Sequence, residues 1–179
     1  MTDILVDRIL EISKKYGLSH VGSNISAVGI LDEIFPLGEV IVSSGHAGLA
    51  YFVVREKYLG GDAEELLKLH GIHVPMYGSL GHGLPIALGM ALATNENIYC
   101  LISDGECMEG SIYETLRLAK TLDAQNLKIY VNANGYGGME SINRHDLEKQ
   151  LYSFGFPLNF IWTNTYPLFG LEAHYEKVI

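Results

Sequence analysis

Four short apolar runs set the frame for this chain: Val40-Ile41-Val42, Ile98-Tyr99-Cys100-Leu101-Ile102, Leu127-Lys128-Ile129-Tyr130-Val131 and a last one around 158–162. They lack the clean period of two that a half-exposed strand shows, and stretches with helical periodicity separate them. Strands of this kind are buried on both faces, and strand–helix alternation calls for an α/β fold, a mostly parallel sheet with helices on both faces. In such a sheet ligands bind outside the carboxyl ends of the strands. The polar loops 43–46, 103–106 and 132–138 each follow a strand, so all three should open on one edge.

The helical stretches can be read in outline. Asp3 to Tyr16 is amphipathic, with Ile4, Leu5, Ile9, Leu10 and Ile12 apolar and Gly17 as its stop. A second helix is expected near Ser26–Phe35, after a Gly/Ser turn around His20, and a third follows His46 to Leu59. Asp62 and Glu65 form a capping-box-like start for a short helix to about Leu69. Residues 70–83 read as a His/Gly-rich loop. Pro85 to Ala93 is apolar on most sides and reads as a buried helix. Helices are further expected near 110–121 and 145–153.

With 179 residues the chain fits one domain, and its 48% hydrophobic and 18% charged content fits a well-buried core with little surface charge. A net charge of −9 argues against nucleic acid or an anionic membrane as partner. No apolar run reaches the roughly 18–20 residues of a membrane span. The acidic, helical N-terminus does not read as a signal peptide. Two lone cysteines, Cys100 and Cys107, suggest a reduced, cytoplasmic setting rather than a disulfide framework.

The chemistry concentrates in two turns. Ser103-Asp104-Gly105-Glu106 ends the second strand, and Asn134 follows the third, one helix and one strand later. Alone, Asp-Gly after a strand is an ordinary turn and an Asn there an ordinary cap. Together they put a carboxylate and a carboxamide at one sheet edge, a hard-oxygen pair suited to Mg²⁺ or Ca²⁺ carrying a diphosphate. The turn after Asn134 offers backbone carbonyls, that of Tyr136 first. Gly78-Ser79-Leu80-Gly81-His82-Gly83 could cradle phosphate on its N–H groups. Taken by itself it reads better as a tight turn at a crowded helix contact.

Five of the seven histidines, His20, His46, His70, His73 and His82, fall in the first 82 residues, at predicted loops or element ends. Imidazoles so placed suit proton transfer and phosphate contact. Zinc is the rival use, but no pair has i, i+4 helical spacing and His70-x-x-His73 lacks cysteine partners. Glu106 and Glu109 suit a solvated helix start, with Glu109 also a candidate interface acid.

Residues 103–114, Ser-Asp-Gly-Glu-Cys-Met-Glu-Gly-Ser-Ile-Tyr-Glu, followed by Asn134, resemble the thiamine-diphosphate signature of the transketolase family. That signature reads Gly-Asp-Gly-Glu, Glu-Gly, an aromatic-Glu pair and a metal-binding Asn. Leu18 to Ser23 resembles the family's first histidine loop, Val42 to Ala47 its Ser-x-Gly-His-Ala segment, and Gly78 to Gly83 its cofactor loop running into a helix. Phe154-Gly155-Phe156 is similar to its Phe-Gly-Trp. The resemblance covers roughly residues 18–160 and is to the family's N-terminal, diphosphate-binding domain. It implies thiamine diphosphate and Mg²⁺ (or Ca²⁺) as cofactors. Asp104, Asn134 and the Tyr136 carbonyl would ligate the metal, while Gly78, Leu80, His82, Gly105, Glu106 and Glu109 would border the cofactor. His20, His46 and His73 (or His70) would face the diphosphate, the reacting carbon or the sugar hydroxyls. The implied activity is two-carbon ketol transfer between small sugars or sugar phosphates, with the cofactor supplying the carbanion chemistry.

Departures from the family pattern qualify this. Ser103 replaces a glycine, Asn132 stands where Asp is usual, and the loop before Gly78 is short. The expected Gly-His-Asp is missing after the last strand. The length leaves no room for the pyrimidine-binding domain that supplies the activating glutamate. The expectation is therefore one domain over 1–179, an interface tail over 163–179, and a pyrimidine-domain partner in a hetero-oligomer, a dimer of heterodimers. The alternatives are a related enzyme acting on a 2-oxo acid, similar to deoxyxylulose-phosphate synthase, and a scaffold that binds the cofactor without catalysis.

Overall fold

The structure, a computed structural model, describes residues 2–70, 79–137, 140–166, 168 and 177. Four strands, β1 (Glu39–Val42), β2 (Ile98–Ser103), β3 (Leu127–Ala133) and β4 (Leu158–Trp162), form one parallel sheet in the order β1-β2-β3-β4. Around it lie α1 (Thr2–Tyr16), α2 (Val21–Ile34), α3 (Gly48–Leu59), α4 (Ala63–His70), α5 (Gly83–Ala93), α6 (Gly110–Thr121) and α7 (Arg144–Tyr152). The sheet is the parallel, doubly covered one expected from the apolar runs. Successive strand residues point to opposite faces, and two cores result. Val40, Val42, Tyr99 and Leu101 pack with α1–α4, while Ile41, Ile98, Cys100 and Ile102 pack with α5–α7. Both cysteines are buried free thiols.

Two boundaries and one burial pattern differ from expectation. α2 begins at Val21, not near Ser26, because Val21, Ile25 and Val28 must be buried in the first core and burial outweighs the weak propensity of Gly22 and Ser23. α4 runs to His70, so that residue ends a helix rather than opening a loop. α5 is not buried on most sides: Leu84, Ala87, Leu88 and Ala91 face the second core, while Ile86 and Leu92 are exposed. The aromatic residues near the C-terminus also divide. Phe156 is core, and Trp162 is exposed with Arg144 stacked 4.9 Å from its ring. Most of the tail from Pro167 lies outside the described residues, and Leu168 packs on the first core.

Away from the sheet edge, α4 is tied to α1 through Glu64. Its carboxylate accepts from Lys15 Nζ at 2.6 Å and Tyr16 Oη at 2.7 Å, and it lies 3.4 Å from Arg8. Asp62 Oδ1 accepts the Glu64 N–H at 2.8 Å, so the acidic start of α4 serves as a cap, as its sequence suggested. Among the described residues no helix is long and apolar enough to cross a membrane.

Candidate cofactor site at the carboxyl edge of the sheet

The pairing of Ser103 with Asn132 brings the ends of β2 and β3 level. Asp104 then sits beside the turn that follows Asn134. Its Oδ1 accepts the Gly105 N–H at 3.0 Å and its Oδ2 accepts the Gly135 N–H at 2.6 Å. Asn134 Oδ1 accepts the Tyr136 N–H at 2.9 Å. Carboxylate and carboxamide oxygens thus converge on one turn. The groups flanking Tyr136 point the other way: the Gly137 N–H donates to the Glu140 carbonyl and the Ile142 N–H to the Gly135 carbonyl, both at 2.8 Å. Of this pairing, the Tyr136 N–H is turned toward Asn134.

Asp104 is almost fully buried. Burial pushes its carboxyl up to about 6, against the opposing pull of the Gly135 and Gly105 N–H groups and the charge of Arg144. A buried carboxylate beside a carboxamide oxygen offers hard-oxygen donors of the kind a divalent cation takes. The residues present fit Mg²⁺ or Ca²⁺. Among the described residues, no three His, Cys, Asp or Glu side chains group as a zinc site would require.

Glu106 is placed differently from expectation. It has no exposed surface, so it does not reach a cofactor; it fastens the edge from beneath. Its Oε1 accepts from Ser43 Oγ at 2.6 Å and from the Gly81 N–H at 2.9 Å, and its Oε2 accepts the Ser103 N–H at 3.1 Å. Burial raises its carboxyl, partly offset by these donors. One carboxylate therefore joins the ends of β1 and β2 and the loop before α5.

That loop needs two of its glycines for packing. A Cβ on Gly83 would lie 2.5 Å from Ser43 Cα, and one on Gly81, at φ 76, would lie 2.4 Å from Ser111 Oγ. Gly81 also receives the Ser111 hydroxyl on its carbonyl at 2.9 Å. Close packing accounts for both, as the tight-turn reading held. Leu80, His82 and Glu109 are exposed around the loop, and Gly105 lies against the Gly137 backbone. Gly78 and His73 lie outside the described residues.

His20 and His46 come together, with ring centroids 5.5 Å apart, although 26 residues separate them. His46 follows β1 in a one-turn 3-10 helix, Gly45–Ala47, and His20 precedes α2 at φ 58. His70 lies elsewhere, exposed at the end of α4 with its ring 6.1 Å from Phe52.

The departures from the family pattern also find places. Ser103 Oγ turns back to accept the Glu106 N–H at 3.3 Å. Asn132 is buried, donates to Ser26 Oγ at 2.9 Å and accepts from the Thr163 hydroxyl. Ser26 also receives the Asn134 amide at 3.3 Å. Sequence reasoning missed Asn24, Ser26 and Thr163, because a polar residue facing inward from a helix leaves no local signature.

A parallel α/β sheet with a hard-oxygen corner, a pinned glycine loop and a histidine pair on one edge defines a cofactor-binding domain. The profile of the family described as thiamine pyrophosphate enzyme, C-terminal TPP binding domain, matches residues 63–162, and the chain belongs to that family. Proteins named as transketolases or transketolase subunits are among its relatives. The chain is 27% identical over 160 residues to an apulose-4-phosphate transketolase subunit of Phocaeicola vulgatus, covering 71% of this chain and 57% of that protein. It is 26% identical over 190 residues to a 6-deoxy-6-sulfo-D-fructose transketolase subunit of Clostridium sp. (strain MSTE9), covering 85% and 69%. Against the human transketolase it is 33% identical over 117 residues, covering 54% of this chain but 19% of the enzyme. The matched family is described as a C-terminal domain, so it does not support the N-terminal designation that the signature suggested.

Proposed function

We propose that this chain is the diphosphate-binding subunit of a split transketolase-like enzyme, equivalent to the N-terminal domain of the single-chain enzymes. It binds thiamine diphosphate and Mg²⁺ and acts with a partner carrying the pyrimidine-binding domain. The observation that carries this reading is the convergence of the Asp104 and Asn134 oxygens on the Gly135–Tyr136 turn, with the carboxylate buried. Two relatives named as transketolase subunits match over most of their own length, whereas the human transketolase matches over a fifth of its length. The exposed Ile86 and Leu92 on α5 give apolar surface for a partner chain.

Asp104, Asn134 and the Tyr136 carbonyl hold the metal. Gly105, Leu80, His82 and Glu109 border the cofactor, and Glu106 holds the loops that carry them. His46 and His20 face the diphosphate or the sugar hydroxyls, with His73 as the third imidazole. Thiamine diphosphate, when bound, would supply the carbanion chemistry that a two-carbon transfer from a ketose to an aldehyde requires. This chain's part is to position that group and to keep a proton donor and acceptor, His20 or His46, at the sheet edge.

Calorimetry with Mg²⁺ and thiamine diphosphate tests the reading, on the chain alone and with a co-expressed pyrimidine-domain protein. Saturable, Mg²⁺-dependent binding is expected, followed by consumption of a donor ketose in the complex. No binding in either sample rejects it. Binding with no ketose or 2-oxo acid consumed leaves a scaffold instead.

A further inference from the structure

We infer that Asn24 is a positioning residue that locks the two histidine segments of the site together, an inference that rests on the proposed role of His20 and His46. Asn24 lies in the second turn of α2 and is 3% exposed. Its Nδ2 donates to the His20 carbonyl at 2.9 Å and to the His46 carbonyl at 3.1 Å, and its Oδ1 accepts the Ala50 N–H at 2.8 Å. All three hydrogen-bonding positions that face protein are in use.

The geometry has a definite logic. In a regular helix the Ala50 N–H would bond to the His46 carbonyl, four residues back. Here the carboxamide of Asn24 is inserted between them, accepting from one and donating to the other as a peptide group would. α3 has Ala47 at its N-cap, which has no side-chain acceptor to offer. Asn24 supplies from a neighbouring helix the cap that α3 lacks. The same amide holds His20, whose left-handed φ of 58 is uncommon for a residue other than glycine. One side chain thus bonds both carbonyls, the Asn24 backbone N–H adding a 3.3 Å bond to that of His20, and the two rings meet at 5.5 Å. Only an amide of this length offers two donors and one acceptor here. Aspartate keeps the acceptor and loses both donors; alanine loses all three.

NMR on the full chain, with ¹⁵N-labelled histidine and asparagine, tests this without the partner. In the wild type the Asn24 Nδ2 protons should exchange at least about 100-fold more slowly than those of an exposed carboxamide. Exchange at the solvent rate overturns the proposal whatever the variants do. Asn24→Asp keeps the acceptor for the Ala50 N–H but sets a buried carboxyl against two carbonyl oxygens, so a fall in Tm of about 5 °C or more is expected. It should lose the His20–His46 ring NOE and shift both imidazole titrations, which a merely structural role would not require. Asn24→Ala should lose the NOE as well, with a fall in Tm of the same order. A folded Asn24→Asp chain with the NOE and both titrations unchanged overturns the clamp. Titration of the wild type with Mg²⁺ and thiamine diphosphate separates the two readings. Failure there removes the proposed function and leaves the NMR result standing.

Discussion

Ser43 Oγ donates to Glu106 Oε1 at 2.6 Å across 63 positions of sequence, so the end of β1 and the turn after β2 share one buried carboxylate. Ser43 Oγ in turn accepts the Gly83 N–H at 3.0 Å, which carries the link to the first residue of α5. Three loops of the ligand edge are fixed by these two side chains. Glu106→Ala leaves the Ser43 hydroxyl and the Gly81 and Ser103 N–H groups without their acceptor. Each buried unsatisfied group costs about 1–3 kcal/mol, so a loss of at least about 3 kcal/mol is expected. Glu106→Gln keeps the volume but turns an NH₂ toward one backbone donor, so it should lose about 1–3 kcal/mol. Urea denaturation of both variants measures this; equal stability of Glu106→Ala and wild type would remove Glu106 from its place at the junction.

Asp104 makes the cofactor-free chain pH-dependent in a direction opposite to ordinary acid denaturation. Its folded carboxyl stands at about 6, above the unfolded value of about 3.9. The folded state therefore binds more protons between those values. The stability tied to its protonated form is complete below about pH 4 and is lost as pH rises toward 6. Two pKa units correspond to at most about 3 kcal/mol. Glu106, also raised by burial, adds with the same sign. Metal binding needs the ionised form, so Mg²⁺-dependent affinity should drop about tenfold per pH unit below 6 and level off above it. Urea midpoints and calorimetry at pH 4.5, 5.5 and 6.5 check both slopes. Flat curves in both experiments would show that Asp104 is not the titrating ligand.

Much of this edge was legible because its chemistry lies in strand-following turns. Asp104, Gly105 and Asn134 stand where an apolar run stops, and a parallel sheet brings such stops into line. The sheet and the seven α-helices among the described residues were readable from the same alternation of apolar runs and helical periodicity. Glu106 shows the limit: its sequence neighbours made it look like a ligand contact, yet its partners Ser43 and Gly81 come from distant turns. Asn24 and Ser26 were not legible at all. Asn24 falls between the turn read around His20 and the helix expected from Ser26, and the work of both residues is tertiary, completing a helix start and joining two amides across the sheet edge. The half-exposed α5 was misread because its composition is apolar all round and hides which face meets the core.

The brace between α1 and α4 sets the acid limit of the fold. Lys15 and Tyr16 hold the Glu64 carboxyl down at about 2, below the ordinary value near 4.3 for glutamate. A depressed acid contributes stability above its unfolded value and loses it as pH falls toward its folded one. Unfolding should therefore steepen between about pH 4 and pH 2. In Glu64→Gln that steepening should shrink, with little change in shape above pH 5. Circular dichroism along an acid titration compares the two, and superimposable acid limbs would show that this ion pair carries no stability.

Gly81 and Gly89 provide a paired test of why the loop before α5 is rich in glycine. Gly81 has φ 76, and a Cβ there would meet Ser111 Oγ at 2.4 Å and Glu109 Cβ at 2.8 Å. Gly81→Ala combines left-handed strain of about 1 kcal/mol with displacement of the N–H that Glu106 holds, so a loss of at least about 2 kcal/mol is expected. Gly89 lies inside α5, and a Cβ there would meet nothing within 4 Å. Alanine at that position removes the entropic cost of a helical glycine and should stabilise the chain by about 0.5–1 kcal/mol. Thermal melts of the two variants should move in opposite directions. If Gly81→Ala melts with the wild type, the loop is not pinned against α6 as its hydrogen bonds to Ser111 and Glu106 require.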